Sequence, residues 1–180
     1  MTTTDCIKTR RSVRKFEDRE VPRGLITEII GEAAFAPSWK NTRTPRYTVI
    51  CDKAVIASIA EEGVHGNAHN AEIINGAPCI IVQSAVNSLA GYEPDGSYST
   101  IKGDGYTMYD AGIAAQTLCL AAHDRGLGTV IMGIIDYDRI AKIISLPENE
   151  TVVAAIAMGY PAGTPSAPKK FTADEITRFI

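Results

Sequence analysis

Apolar residues at Leu25, Ile26, Ile29, Ile30 and Ala33 recur at helical spacing, and they predict an amphipathic helix that Pro22 opens and Ala36-Pro37 stops. Shorter β-branched runs predict strands over Arg46 to Cys51, Cys79 to Val86, Thr129 to Ile134 and Val152 to Met158. Gly76-Ala77-Pro78 introduces the second of these runs, and Gly159-Tyr160-Pro161 closes the fourth. Further helices are expected over Asp5 to Arg11, Val55 to Glu62 and Asp136 to Ser145, the last capped near Asp136 or Tyr137. Between the first two helices, Ser12 to Phe16 alternates charged and apolar residues, as an extended segment does.

Two longer stretches depart from these patterns. Asn87 to Gly105 holds five Gly or Pro residues together with Ser, Thr and Asp, so it predicts a long loop of the kind often used as a lid. Tyr92, Tyr98 and Tyr106 then either cover a ligand or anchor the loop. From Tyr106 to His123 the chain is small and apolar all round, which predicts a helix buried on every side. Ala111, Gly112 and Ala115 would let a second subunit approach it closely, and Gly126 suits a left-handed cap beyond its end. Helices and strands interleave without a regular βα repeat. The expected fold is therefore α+β, helices over a mixed or antiparallel sheet, in a single domain spanning 1–180.

Composition narrows the class. With 45% hydrophobic and 22% charged residues the chain is an ordinary globular one, and no apolar run is long enough to span a bilayer. The polar start from Met1 to Asp5 is unlike a secretory signal, so a cytoplasmic, non-membrane protein is expected. Cys6, Cys51, Cys79 and Cys119 are far apart and form no CxxC pair. They are expected to be free and mostly buried, with only Cys6, on a polar segment, a candidate reactive thiol.

Against a formal net charge of -3, Arg10, Arg11, Arg14 and Lys15 concentrate four cations beside Ser12. So local a cluster favours a defined phosphate-bearing ligand over nucleic acid, which needs a broad basic face. A solvated run paired to Glu17, Asp18 or Glu20 is the alternative, and the segment alone does not separate the two. His65 and His69 stand four apart, but Gly66 lies where a zinc protease helix carries glutamate, so surface histidines are expected and no metal. No serine sits in a GxSxG turn, and Gly126-Leu127-Gly128 follows a helix, the reverse of a dinucleotide fingerprint. An enzyme of this composition would rely on a cofactor for its chemistry.

The ordered set of motifs resembles one family. Arg10-Arg11-Ser12-Val13-Arg14-Lys15-Phe16, Ala36-Pro37-Ser38-Trp39-Lys40-Asn41, Asn70 ahead of Gly76-Ala77-Pro78, Asp110-Ala111-Gly112, Gly126-Leu127-Gly128-Thr129, Met132-Gly133 and Gly159-Tyr160-Pro161 together resemble the nitroreductase family. The resemblance implies an intertwined homodimer with FMN at the subunit interface. It also implies a two-stage reaction, with NADH or NADPH reducing the flavin and the flavin then reducing a small organic acceptor such as a nitroaromatic or quinone. Arg10 and Arg11 would meet the FMN phosphate, and Ser12 the ribityl chain or ring edge. Arg14 would sit by flavin N1 and O2, where a guanidinium stabilises the charge that hydride arrival leaves. Asn70 would bond the pyrimidine edge, and the backbone of Ile131, Met132 and Gly133 would reach N5. Lys169 and Lys170 would close on the phosphate. The partner chain would supply Pro37, Ser38, Trp39 and Asn41. After Asn41 this chain reads Thr42-Arg43-Thr44-Pro45 where many members have Gln, Pro and Trp, and this departure falls on the substrate side. A flavin-binding or sensor protein without turnover is the alternative reading.

Overall fold

The four β-branched runs pair into one antiparallel sheet of order β1-β2-β4-β3, in a computed structural model that describes residues 1–180. The strands are β1 (Pro45–Ile50), β2 (Cys79–Val86), β3 (Gly128–Met132) and β4 (Glu150–Gly159). β2 and β4 are central and covered on both faces, and so their sequences run apolar rather than alternating, apart from Gln83-Ser84 in β2 and Glu150-Thr151 at the start of β4. β1 and β3 are left as opposite edges.

Each face of the sheet carries its own core. On one side α3 (Lys53–Glu62), α4 (Ala68–Asn75) and α6 (Tyr137–Ile143) pack through Ile59, Ile74 and Ile140 onto Ile80 and Ala157. On the other, α2 (Arg23–Ala33) and α5 (Gly105–Asp124) pack through Ile29 and Leu118 onto Ile81, Ile156 and Met158. Two short helices, α1 (Thr3–Thr9) and α7 (Ala173–Ile176), lie near the chain ends.

Several elements differ from the sequence reading, each for a local reason. α4 is unforeseen because Gly66 and Asn67 read as helix breakers. In the fold Gly66 takes φ +71 in the preceding turn, and Asn67 is the N-cap whose side chain accepts the Asn70 N–H. His65 lies outside this helix and His69 inside it, so their spacing of four defines no helical face. Pro22 is the N-cap of α2 rather than its first residue, and β3 stops at Met132. α5 is not buried on every side. Ala111 and Ala115 are covered by the chain itself, whereas Met108 and Tyr109 are 58% and 66% exposed and Gly112 faces open space. All four thiols are free, but Cys6 is buried, its Sγ donating to Leu120 O, and the exposed one is Cys51.

Candidate functional site

A single steric fit carries the arginine run to the edge of β3. Arg10 ends α1, its N–H donating to Cys6 O at 3.1 Å. The chain then runs beside β3, with Ser12 bridged in parallel to Thr129 and Val13 N donating to Thr129 O at 3.0 Å. A Cβ at Gly128 would stand 2.5 Å from Val13 Cγ2, so only glycine lets the two segments approach this closely. Beyond it Phe16 bridges Pro161, and Ala162 N donates to Lys15 O, which fixes the far end of the run.

The cations held there are free of carboxylates. Arg11 Nη1 donates to the carbonyls of Lys8 and Arg10 at 2.7 and 2.8 Å, and Arg14 Nη1 to Ser12 O at 3.4 Å. Of the acids that a solvated run would have used, Asp18 lies 3.8 Å from Lys53, and Glu17 and Glu20 form no ion pair. Their field reaches the end of α5. Burial holds the His123 pKa below its ordinary 6.5, and the charges of Arg10 and Arg11 lower it further.

The run meets β3 at its start, and the far end of the same strand carries the next candidates. Ile131 is 45% exposed, whereas Met132 packs into the core and can offer only its backbone. Gly133 opens outward, since an added Cβ would meet only Tyr137 Oη at 3.8 Å, and that hydroxyl donates to Gly133 O at 2.7 Å. Asn70 reaches the same place from α4. Its Nδ2 donates to Ile134 O at 2.9 Å, while its Oδ1 accepts nothing from the chain.

Pro37, Ser38, Trp39 and Asn41 lie before the opposite edge strand, β1. Trp39 N donates to Asp110 Oδ2 at 2.8 Å, tying the segment to α5, and its ring stacks on Tyr106 with centroids 4.1 Å apart. Ser38 Oγ accepts the Arg43 N–H at 3.0 Å. Lys40, Asn41 and Arg43 all have positive φ, at 44°, 55° and 51°, a strained run for residues other than glycine. Beneath it Trp39 Nε1, Thr42 Oγ1, Thr44 Oγ1, Tyr47 Oη and Gln83 Oε1 are buried without a hydrogen-bond partner. Burial raises the Asp110 pKa against the opposing Trp39 N–H, and pushes Tyr47 up to about 12. The sequence reading assigns Asp110 no role. Its signal is that of a lone carboxylate within a small apolar helix.

Two strands, β2 and β4, separate these halves, which puts them about 14 Å apart across the sheet. The Pro37–Asn41 segment lies at the end of the sheet where β1 begins and β3 finishes, whereas the arginine run is bridged at Thr129, near the start of β3. Lys169 and Lys170 join neither half. They lie on an exposed tail with Phe171, Ile176, Phe179 and Ile180, and form no hydrogen bond or ion pair. A groove of 1530 Å³ opens where β1 ends and β2 begins, and none of the candidate site residues lines it.

The family model for the nitroreductase family matches residues 7–160. A Methanothermobacter thermautotrophicus protein, whose name pairs NADH dehydrogenase with NAD(P)H nitroreductase, is 33% identical over 98% of this chain and 86% of its own. An iodotyrosine deiodinase of Haliscomenobacter hydrossis is 28% identical over 85% of this chain and 76% of its own. Among solved structures, an FMN-dependent nitroreductase of Clostridium difficile R20291 is 26% identical, with a TM-score of 0.79 and 98% of each chain covered.

Proposed function

This chain belongs to the nitroreductase family, and from that premise we propose an FMN-dependent oxidoreductase that takes electrons from NADH or NADPH and passes them to a small organic acceptor in two half-reactions. One observation carries the reading. Three guanidinium groups without carboxylate partners line the edge strand β3, whose far end is exposed, and such a donor set suits a phosphate joined to a planar ring. When bound, FMN supplies the two-electron carrier that no side chain of the chain provides.

The residues of the chain divide the remaining tasks. Arg10 and Arg11 hold the phosphate, and Ser12 offers its hydroxyl to the sugar chain. Arg14 keeps a fixed positive charge where negative charge develops. Asn70 presents its free Oδ1, and the backbone after Met132 approaches the ring where Gly133 leaves room. The acceptor meets the ring on the side supplied by Pro37, Ser38, Trp39 and Asn41.

In this reading those four residues come from a second copy, a view supported by the two strands, β2 and β4, that stand between them and the arginines of their own chain. The exposed stripe of α5 at Met108, Tyr109 and Gly112 is apolar and open, as the seam of a two-fold dimer would be. In the same reading Lys169 and Lys170, on the exposed tail, close on the phosphate bound at the interface. Purified protein should be yellow and should bleach anaerobically with NADH or NADPH. A colourless preparation that stays inert after incubation with FMN would refute the reading, and flavin that binds but is never reduced would leave a binding protein instead.

A further inference from the structure

We propose that Cys51 and Cys79 are a peroxide-oxidisable pair that closes a disulfide between β1 and β2. The strand register places them opposite each other. β1 and β2 pair antiparallel with Ile50 across from Ile80, so the next position sets Cys51 across from Cys79. The hydrogen-bond phase along the ladder is fixed at its other end, where Val86 N donates to Thr44 O at 3.0 Å. That donation makes Thr44 and Val86 a hydrogen-bonded pair. Alternation along the ladder then makes Ile50 and Ile80 hydrogen-bonded and Cys51 and Cys79 non-hydrogen-bonded.

The non-hydrogen-bonded site is the one that suits a crosslink. There the Cα atoms of an antiparallel pair lie about 4.5 Å apart, inside the range that a disulfide spans, and the side chains are at their closest. Paired residues also share a face of the sheet, so both sulfurs stand on the side that carries α2. Both thiols are free, and their environments differ in a useful way. Cys51 is exposed on the wall of the 1530 Å³ groove, between Val49 and Asp52, where a small oxidant reaches it. Cys79 is fully buried, and its thiol pKa is raised, mainly by that burial and further by Cys51 beside it. An exposed first thiol with a protected second one behind it is the arrangement of a redox-sensitive pair.

The step balances. The Cys51 sulfur attacks hydrogen peroxide, breaking the O–O bond, and becomes a sulfenic acid with loss of one water. The Cys79 sulfur then displaces the hydroxyl, which leaves as a second water with the thiol proton. Two thiols and one peroxide thus give one disulfide and two waters, the peroxide taking up both electrons. The bond would close the excursion from Asp52 to Pro78, which carries α3 and α4 and so Asn70, without touching either half of the flavin site.

The test is titration of the FMN-incubated protein with hydrogen peroxide, followed by thiol counting in denaturant, intact mass and non-reduced peptide mapping. Because it reads thiols rather than turnover, it holds whether or not the oxidoreductase reading survives. Free thiols should fall from four to two, with a linked pair of peptides carrying Cys51 and Cys79 that dithiothreitol separates. Cys51→Ser, at an exposed position that folding does not depend on, should abolish the link, whereas Cys6→Ser should leave it. The proposal is overturned by four surviving thiols, by Cys51 oxidised to sulfinic acid without a link, or by a link between other cysteines.

Discussion

The two edges of the sheet solve different problems. At the β3 edge the backbone is relaxed and pinned by main-chain hydrogen bonds. No residue from Arg10 to Phe16 has positive φ, and the close approach rests on the glycine at 128. Its charges are free and its geometry is fixed in advance, which suits a ligand that is always the same. At the β1 edge three residues other than glycine hold positive φ, a buried carboxylate latches the segment, and several buried polar atoms have no partner. A strained, incompletely satisfied segment suits a surface completed by another chain and tuned to a particular acceptor. In the proposed reading the β3 edge holds the cofactor and the β1 edge meets the acceptor.

If the two edges form one site only across a dimer, separate damage to each can be repaired by mixing. An Arg10→Glu chain and a Trp39→Ala chain should each lose most turnover as homodimers. A mixed dimer should regain about half of wild-type activity, because one of its two sites is intact. Co-purified heterodimers with no recovered activity would place both edges in the same subunit's site.

Gly128→Ala should be the most damaging small change at the β3 edge. Its Cβ would press on Val13, so a loss of roughly 1–3 kcal/mol in denaturant unfolding is expected, together with weakened FMN binding as the arginine run shifts. The same substitution at Gly112, a mid-helix position that faces open space, should instead stabilise the isolated chain by roughly 0.5–1 kcal/mol.

A finer contrast comes from Arg14 and Trp39. Arg14 is exposed with one long hydrogen bond, so Arg14→Ala should change stability by only about 0.5 kcal/mol. Flavin reduction should nevertheless slow roughly tenfold, the equivalent of about 1.4 kcal/mol of lost charge stabilisation, by stopped-flow absorbance. Trp39→Phe should do the reverse, leaving flavin affinity within about twofold and altering kcat/KM for the acceptor. Equal effects on both measurements in both variants would erase the division of labour.

The smallest effect is electrostatic. His123 titrates below its ordinary 6.5 in the folded chain, so the unfolded chain binds that proton more readily as the pH falls. The stability present above 6.5 is lost on acidification through the lowered value. Because Arg10 contributes to the depression, Arg10→Ala should make that loss shallower in denaturation midpoints measured from about pH 8 to about pH 5.

Much of this molecule was legible along the chain because its information is periodic or covalently local. The central strands read as apolar runs, α2 as a stripe, and the arginine run as a local cation cluster in an acidic chain, which the segment alone left open between an anion site and a solvated run. α4 was hidden because a cap and a breaker are the same residue types, and only the Asn67 hydrogen bond tells them apart. Cys51 read as buried because its neighbours are apolar, whereas the strand ends just before it and leaves it at the mouth of a groove.

What the sequence determined by itself is the chemistry on offer, namely which side chains can meet a phosphate, a ring or an acceptor, and the family in which that set occurs. Tertiary structure decided the rest: that the arginines lack acids, that Asp110 latches Trp39, that α5 keeps one face open, and that the two halves of the candidate site stand on opposite edges. The physical reason is that these facts depend on strand order, and strand order is set by the burial of whole faces, which no window of residues contains.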